Sequence, residues 1–244
     1  VPSSGLLCQV HTLAECHVSH RVSLLQLLID DPLQTMQSLG VGVTRPLPDK
    51  VHRDLFPGVP KKDIVRMGVH GDGTCFYHSV CAALNYKGYL TASKKDRQRI
   101  GQEFRCGFKD HMTRSKWKQF QKDFPQHMNR SFETVEKTWC TPSEWAEEDT
   151  IKMVSKYLGL NIVFLDASKD KFYCHMQGDP TQEDTVVIAW IDHAHFEPIL
   201  HIYERCKDHA HLRGRFNPRN EPRIVTDLKR AFDKHCLPVE EFIA

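Results

Sequence analysis

The sequence predicts an α+β fold, a small central β-sheet between helices, with helices early in the chain and strands late. Two charged windows, Asp96–Lys109 and Ser115–Phe124, carry apolar residues at helical spacing and read as helices that hide one face. The run Asn161–Leu165 is short, apolar and β-branched, which suits a buried strand. Phe172–His175, Thr185–Trp190 and Pro198–Tyr203 add strands without the intervening helices that strict alternation requires.

Taken in order, residues 1–60 read as an N-terminal extension. Val22–Ile29 predicts a helix that ends at Asp31-Pro32, because the residue before a proline avoids the helical region. Leu33–Leu39 predicts a second helical piece stopped by Gly40, and Pro46, Pro48, Pro57 and Pro60 mark a segment lying over the surface. Residues 61–204 form the expected central domain. There the Asp72-Gly73 turn leads into a helix over Cys75–Asn85, and Ser143–Leu158 predicts another, capped by Ser143 and stopped by Gly159. Residues 205–244 are a basic C-terminal extension, expected to be packed and helical.

Composition narrows the class. A chain of 244 residues that is 40% hydrophobic and 26% charged is ordinary globular material. No apolar run approaches a membrane span, and Val1–Gly5 does not open a signal peptide, so a cytoplasmic location and no membrane partner are expected. The missing initiator Met points to a piece cut from something longer. Nine cysteines, an odd number, exclude a fully paired disulfide framework and favour a reducing compartment, with most thiols acting as small core hydrophobes. The net charge of +2 hides a pattern. Residues 87–130 hold 12 Lys and Arg against 4 Asp and Glu, 131–204 hold 5 against 14, and 205–230 hold 8 against 3.

The segment Gly71-Asp72-Gly73-Thr74-Cys75-Phe76-Tyr77-His78-Ser79-Val80 carries the chemistry. Its turn places Cys75 at a helix N-terminus, where unpaired amides and the positive dipole end favour a thiolate and lower the thiol's pKa. The glycines let loop amides approach the sulfur to receive an oxyanion. A nucleophilic cysteine needs a base, and the base an orienting group. In Trp190–Ile199, an extended chain puts His193, His195 and Glu197 on one face, and periodicity alone does not choose between the two histidines.

These residues resemble the OTU (ovarian tumour domain) family of cysteine proteases, of the papain-like class, and in motif its viral members. Asp72 through Ser79 matches the family's Asp-Gly-x-Cys helix start. His195-Phe196-Glu197 matches its late His, aromatic, acid-or-amide strand. Trp139 (or Trp145), the helix Glu144–Leu158 and the strand Gly159–Leu165 match the block between. The resemblance spans roughly Val65 to Tyr203.

The resemblance implies an OTU-like fold with Cys75 as nucleophile, His195 as general base and Asp72 in the loop that shapes the oxyanion hole. Glu197 stands where the family usually has Asp or Asn, one methylene longer, so Asp72 or another acid competes for the role of orienting His195. The implied activity is hydrolysis of isopeptide or peptide bonds after the C-terminal Gly of ubiquitin or ubiquitin-like modifiers, through a Cys75 thioester, with no cofactor and no metal. A bell-shaped pH profile is expected. Substrate tails of that kind are basic, which sets Glu144, Glu147, Glu148 and Asp149 in the acidic stretch as candidate contacts. The expected partners are ubiquitin or a ubiquitin-like modifier and its conjugates, and the chain is expected to be a monomer.

Alternatives remain open: a polyprotein-processing cysteine protease, and a catalytically weak ubiquitin-binding module. Cys206, His209 and His211 are close enough in sequence to invite zinc, but no Cys-x-x-Cys or His-Glu-x-x-His supplies the usual ligand sets. The basic arm with Arg213, Arg215, Arg219 and Arg223 reads as a solvated face, and nucleic acid is not expected as a partner.

Overall fold

The computed structural model describes residues 38–125, 130–139, 141–166, 183–191, 194–206 and 209–235. Five strands make the spine of one sheet: β1 (Thr44–Pro46), β2 (Ile64–Met67), β3 (Asn161–Asp166), β4 (Thr185–Ile191) and β5 (His195–Cys206). Their spatial order is β1-β2-β5-β4-β3, with β6 (His209–Arg213) paired to β5 and β7 (Arg215–Phe216) to β4. Only β3 and β4 run parallel; the other described pairs are antiparallel.

Both faces of this sheet are covered, which is why its strands read as continuous apolar runs. Ile162, Phe164, Val186, Ile188, Phe196 and Leu200 turn to one core. Their alternate neighbours Val163, Leu165, Val187, Ala189, Ile191 and Ile199 turn to the other. The first core is built against α2 (Cys75–Leu84), α3 (Lys94–His111), α4 (Arg114–Asp123), α5 (Phe132–Trp139) and α6 (Glu148–Leu158). The second is closed by α1 (Asp49–Leu55) and α7 (Pro222–His235), through Leu55, Ile224, Val225, Leu228 and Phe232. The result is a mixed sheet between two layers of helix, as the sequence predicts.

Local chemistry fixes the ends of these helices. Ser93 accepts from Asp96 N at 3.1 Å to start α3, and Thr113 accepts from Lys116 N at 3.3 Å to start α4. Asn85 closes α2 in the left-handed region (φ 47°), and Gly159 closes α6 (φ 59°).

Several expectations need correction. Ser143 caps no helix: α6 starts at Glu148, and 141–147 form a loop whose Glu144 carbonyl is taken by Arg105. The proline-marked segment is not a surface strap. Leu47, Leu55 and Phe56 are buried in the second core, and Pro48 sits at the N-terminus of α1, where its missing N–H costs nothing. Residues 44–58 and 209–235 are therefore woven into the same sheet and core as the central segment. Cys81 is a buried free thiol as expected, whereas Cys106 is disulfide-bonded. The helix at Val22–Ile29, the strand at Phe172–His175 and His193 lie outside the described residues, as does most of Leu33–Leu39. No helix among the described residues is long and apolar enough to cross a membrane.

Candidate active site

Cys75 opens α2 with 5% of its surface exposed. The turn before it is locked by the Asp72 carboxylate, whose Oδ1 accepts from Thr74 N at 3.1 Å. Gly73 takes φ 76°, a left-handed conformation that side chains disfavour, and a Cβ there would overlap the carbonyl oxygen of Pro142. The backbone amides of Phe196 and Phe76 favour the charged form of the Cys75 sulfur, and the Phe76 and Phe196 rings meet edge to face with centroids 5.9 Å apart. That ring contact joins α2 to the start of β5, one residue from His195.

β5 presents His195 and Glu197 on one face, since alternate residues of a strand share a side. The Nδ1–Cε1 edge of His195 lies against Gly71, 3.8 Å from where a Cβ would stand, in the loop that leads to Cys75. Its Nε2 is 3.7 Å from Glu197 Oε1. Glu197 is fully buried and shared. Its Oε1 accepts from the Leu39 amide at 2.6 Å, and its Oε2 forms an ion pair with Arg66 Nη1 at 2.8 Å. Leu39 reaches the site because Gly68, just past the end of β2, leaves room for the Leu39 and Gly40 carbonyls.

Asp72 faces the other way. Its Oδ1 stands 3.5 Å from Nε2 of the buried His78, whose Nδ1 meets the Tyr89 hydroxyl at 3.0 Å. Gly101 on α3 gives the His78 ring its space. Burial opposes the Asp72 charge, yet His78, the Thr74 amide and His70 together hold its carboxyl well below the usual carboxylate range. The structure thus brings Glu197 next to the imidazole and binds Asp72 into the loop before Cys75.

Arg105, on α3, ties this loop to its surroundings. Its guanidinium donates to the carbonyls of Trp139 (2.7 Å), Thr138 (2.7 Å), Glu144 (2.6 Å) and Gly73 (3.1 Å), and to Thr74 Oγ1 (3.3 Å). The 141–147 loop is thereby laid against the nucleophile's turn, with Glu144 exposed and Trp145 51% exposed. Glu147 is exposed but pairs with Arg130, and Asp149 is buried against the same arginine at 2.9 Å. Of the sequence candidates for basic-tail contacts, Asp149 is removed by burial. Glu148 begins α6. Trp139 is buried in the first core.

The protonation states correct one expectation. Burial pushes the Cys75 thiol up and the Asp72 charge adds to it, outweighing the amides of Phe196 and Phe76. Burial also holds His195 below the ordinary imidazole value of 6.5, with Arg66 and His78 acting in the same direction and Asp72 against them. The helix N-terminus therefore does not leave a resting thiolate. Burial thus disfavours both the thiolate and the imidazolium.

Sequence reasoning missed four groups: Arg66, the Leu39 amide, His78 and Arg105. A charged residue inside the apolar run Ile64–Met67 was the available signal for Arg66. Among the described residues no group of three His, Cys, Asp or Glu side chains could hold a metal.

A family model described as OTU-like cysteine protease matches residues 70–198. No curated protein matches the chain. Solved structures similar to it include an OTU domain in complex with ubiquitin (12% identity, TM-score 0.43, covering 79% of this chain and 93% of that one). The OTUD1 OTU domain is 12% identical with a TM-score of 0.41, over 62% of this chain and 92% of that one. The Hazara virus OTU bound to ubiquitin is 14% identical with a TM-score of 0.38, over 59% of this chain and 84% of that one. The match at 70–198 takes in more than half of the 244 residues, including Asp72, Cys75, His195 and Glu197, and the chain belongs to the OTU-like cysteine protease family.

Proposed function

We propose that this chain is a deubiquitinating enzyme that hydrolyses isopeptide or peptide bonds after the C-terminal Gly of ubiquitin. The observation that carries the reading is the packing of α2 on β5: the Phe76 ring meets Phe196, His195 lies against Gly71 in the loop that leads to Cys75, and Glu197 stands beside the imidazole. The imidazole takes the Cys75 proton as the sulfur attacks the carbonyl carbon. Amides of the Asp72–Cys75 turn receive the oxyanion. His195 then gives the proton to the leaving amine and a thioester remains. Water, deprotonated by the same imidazole, cleaves the thioester and restores the thiol.

The test is labelling by ubiquitin whose C-terminal carboxylate is replaced by a thiol-reactive electrophile. Wild type should form a covalent adduct and Cys75→Ala none, with His195→Ala and Glu197→Ala both labelled more weakly than wild type. Folded wild-type protein that gives no adduct would end the ubiquitin reading. A ubiquitin-like probe and the chain's own termini as cleavage sites would be tried next. Retention of ubiquitin without reaction would mark a binding module.

Within this reading, Glu144 is an acidic contact accessible beside the nucleophile's turn among the described side chains, where Glu147 is paired with Arg130. A rim charge of this kind acts on encounter more than on chemistry. Glu144→Lys should raise KM about threefold to tenfold, roughly 0.7–1.4 kcal/mol, and leave kcat within twofold. Steady-state hydrolysis of ubiquitin carrying a C-terminal fluorogenic amide measures both. An unchanged KM would take Glu144 out of the substrate path.

A further inference from the structure

We propose that Arg66 is a positioning residue of this active site: it holds the Glu197 carboxylate so that His195 meets a fixed, net-neutral Arg–Glu pair in place of a lone carboxylate. The inference rests on the Cys75–His195 reading above and extends it to a residue outside the family match, which begins at residue 70.

Three features of the geometry carry it. Arg66 and Glu197 lie on neighbouring strands, where Arg66 is in register with Ile199, and both side chains are almost wholly buried. The guanidinium sits 2.8 Å from one carboxylate oxygen, while the other receives the Leu39 amide and stands 3.7 Å from His195 Nε2. A glutamate has the length to make this reach, which a shorter acid at the same place would lack. Burial pushes the Glu197 carboxyl up, and the directly opposed Arg66 cation works against that penalty, with the Leu39 amide and Arg45 acting in the same direction.

The consequence falls on the imidazole. A lone carboxylate beside Nε2 would favour the imidazolium. The paired one orients the ring while its charge is cancelled from behind. The other groups that act on His195 or its partner are Asp72 from the turn before α2, His78 from α2 itself, with His70 behind it, and Arg45, which acts on Glu197. Of these, Asp72 pulls toward the protonated ring, and His78 acts with Arg66 against it. A neutral imidazole is what a neutral buried thiol requires of its base.

The experiment follows the His195 ring by NMR titration of its imidazole signals, assigned with His195→Ala, in wild type, Arg66→Met, Arg66→Lys and Arg66→Met/Glu197→Gln. Loss of the cation should move the His195 titration to higher pH in Arg66→Met, and the acid limb of kcat should follow it. The double variant restores a neutral pair of similar size and should return the titration close to wild type. Turnover of the ubiquitin fluorogenic amide should fall about tenfold or more in Arg66→Met and recover at least threefold in the double variant. Arg66→Lys, which keeps charge without the planar fork, should hold the titration near wild type. A purely structural role would lower stability and leave the titration of the folded fraction where it was. An unmoved titration in folded Arg66→Met, or a double variant no better than the single, would overturn the proposal. If Arg66→Met does not fold, Arg66→Lys and the double variant decide it on the same two readouts. The titration needs no substrate, so a wild type inert to ubiquitin would sink the functional reading and leave this one to be judged by NMR.

Discussion

Arg105→Met should cost about 3–5 kcal/mol of folding stability, because several acceptors lose their donor at about 1–3 kcal/mol each where they stay dry. Methionine fills much of the same space, so the loss reports hydrogen bonding more than volume. Four carbonyls and one hydroxyl would lose a donor, from Trp139, Thr138, Glu144, Gly73 and Thr74. Each stranded acceptor costs about 1–3 kcal/mol when no water replaces the donor. Three of these bonds are only partly buried, so water recovers some of them and the total stays below the sum. The guanidinium also lies 5.1 Å from the Tyr77 ring centroid, an attraction that Met replaces weakly. Arg105→Lys should recover less than half, because three donors on one nitrogen cannot span five acceptors. Denaturant unfolding measures the change as a shift in midpoint at unchanged slope. A loss under about 1 kcal/mol would mean that the 138–144 carbonyls find other donors without Arg105.

How much of this was legible before the structure divides by range. Cys75 and its turn were readable because Asp72, Gly73 and Thr74 are local, and their chemistry needs no distant partner. β3, β4 and β5 were readable because apolar strands covered on both faces announce themselves by composition, and β5 proved longer than its apolar stretch, reaching back to His195. The partners of Glu197 were hidden for the opposite reason. Arg66 and the Leu39 amide are separated from it by more than a hundred residues of chain, and no periodicity reports which strands become neighbours.

The charge on a site is also less readable than its members. A helix N-terminus argues for a thiolate, and that argument is sound for an exposed cysteine. Cys75 is buried, with Asp72 as an anionic neighbour, and those two facts reverse the sign. The Ser143 cap failed similarly. Its sequence suits a helix start, but Arg105 draws the Glu144 carbonyl into the nucleophile's turn and holds the loop out of helical geometry. In both places a tertiary contact outweighs a local preference worth about 1 kcal/mol.

Gly73→Ala should lower kcat by about 100-fold or more while KM stays within threefold, because a displacement near 1 Å at the reacting centre costs on that order. Two penalties meet at this residue. Its φ of 76° is a conformation that alanine adopts at a cost of about 1 kcal/mol or more. The new Cβ would also overlap the Pro142 carbonyl, which belongs to the loop Arg105 clasps. Neither side can yield freely, since the same guanidinium holds Gly73 O. The strain must therefore displace the Asp72–Cys75 amides that receive the oxyanion, and oxyanion donors act on the transition state in preference to the bound substrate. Gly107→Ala is the control, a helical glycine with open space around its Cβ position, and should leave kcat unchanged. Steady-state kinetics on the fluorogenic ubiquitin amide, with unfolding midpoints beside them, separate lost catalysis from lost fold. A Gly73→Ala enzyme that turns over at the wild-type rate would show that the oxyanion is received somewhere other than this turn.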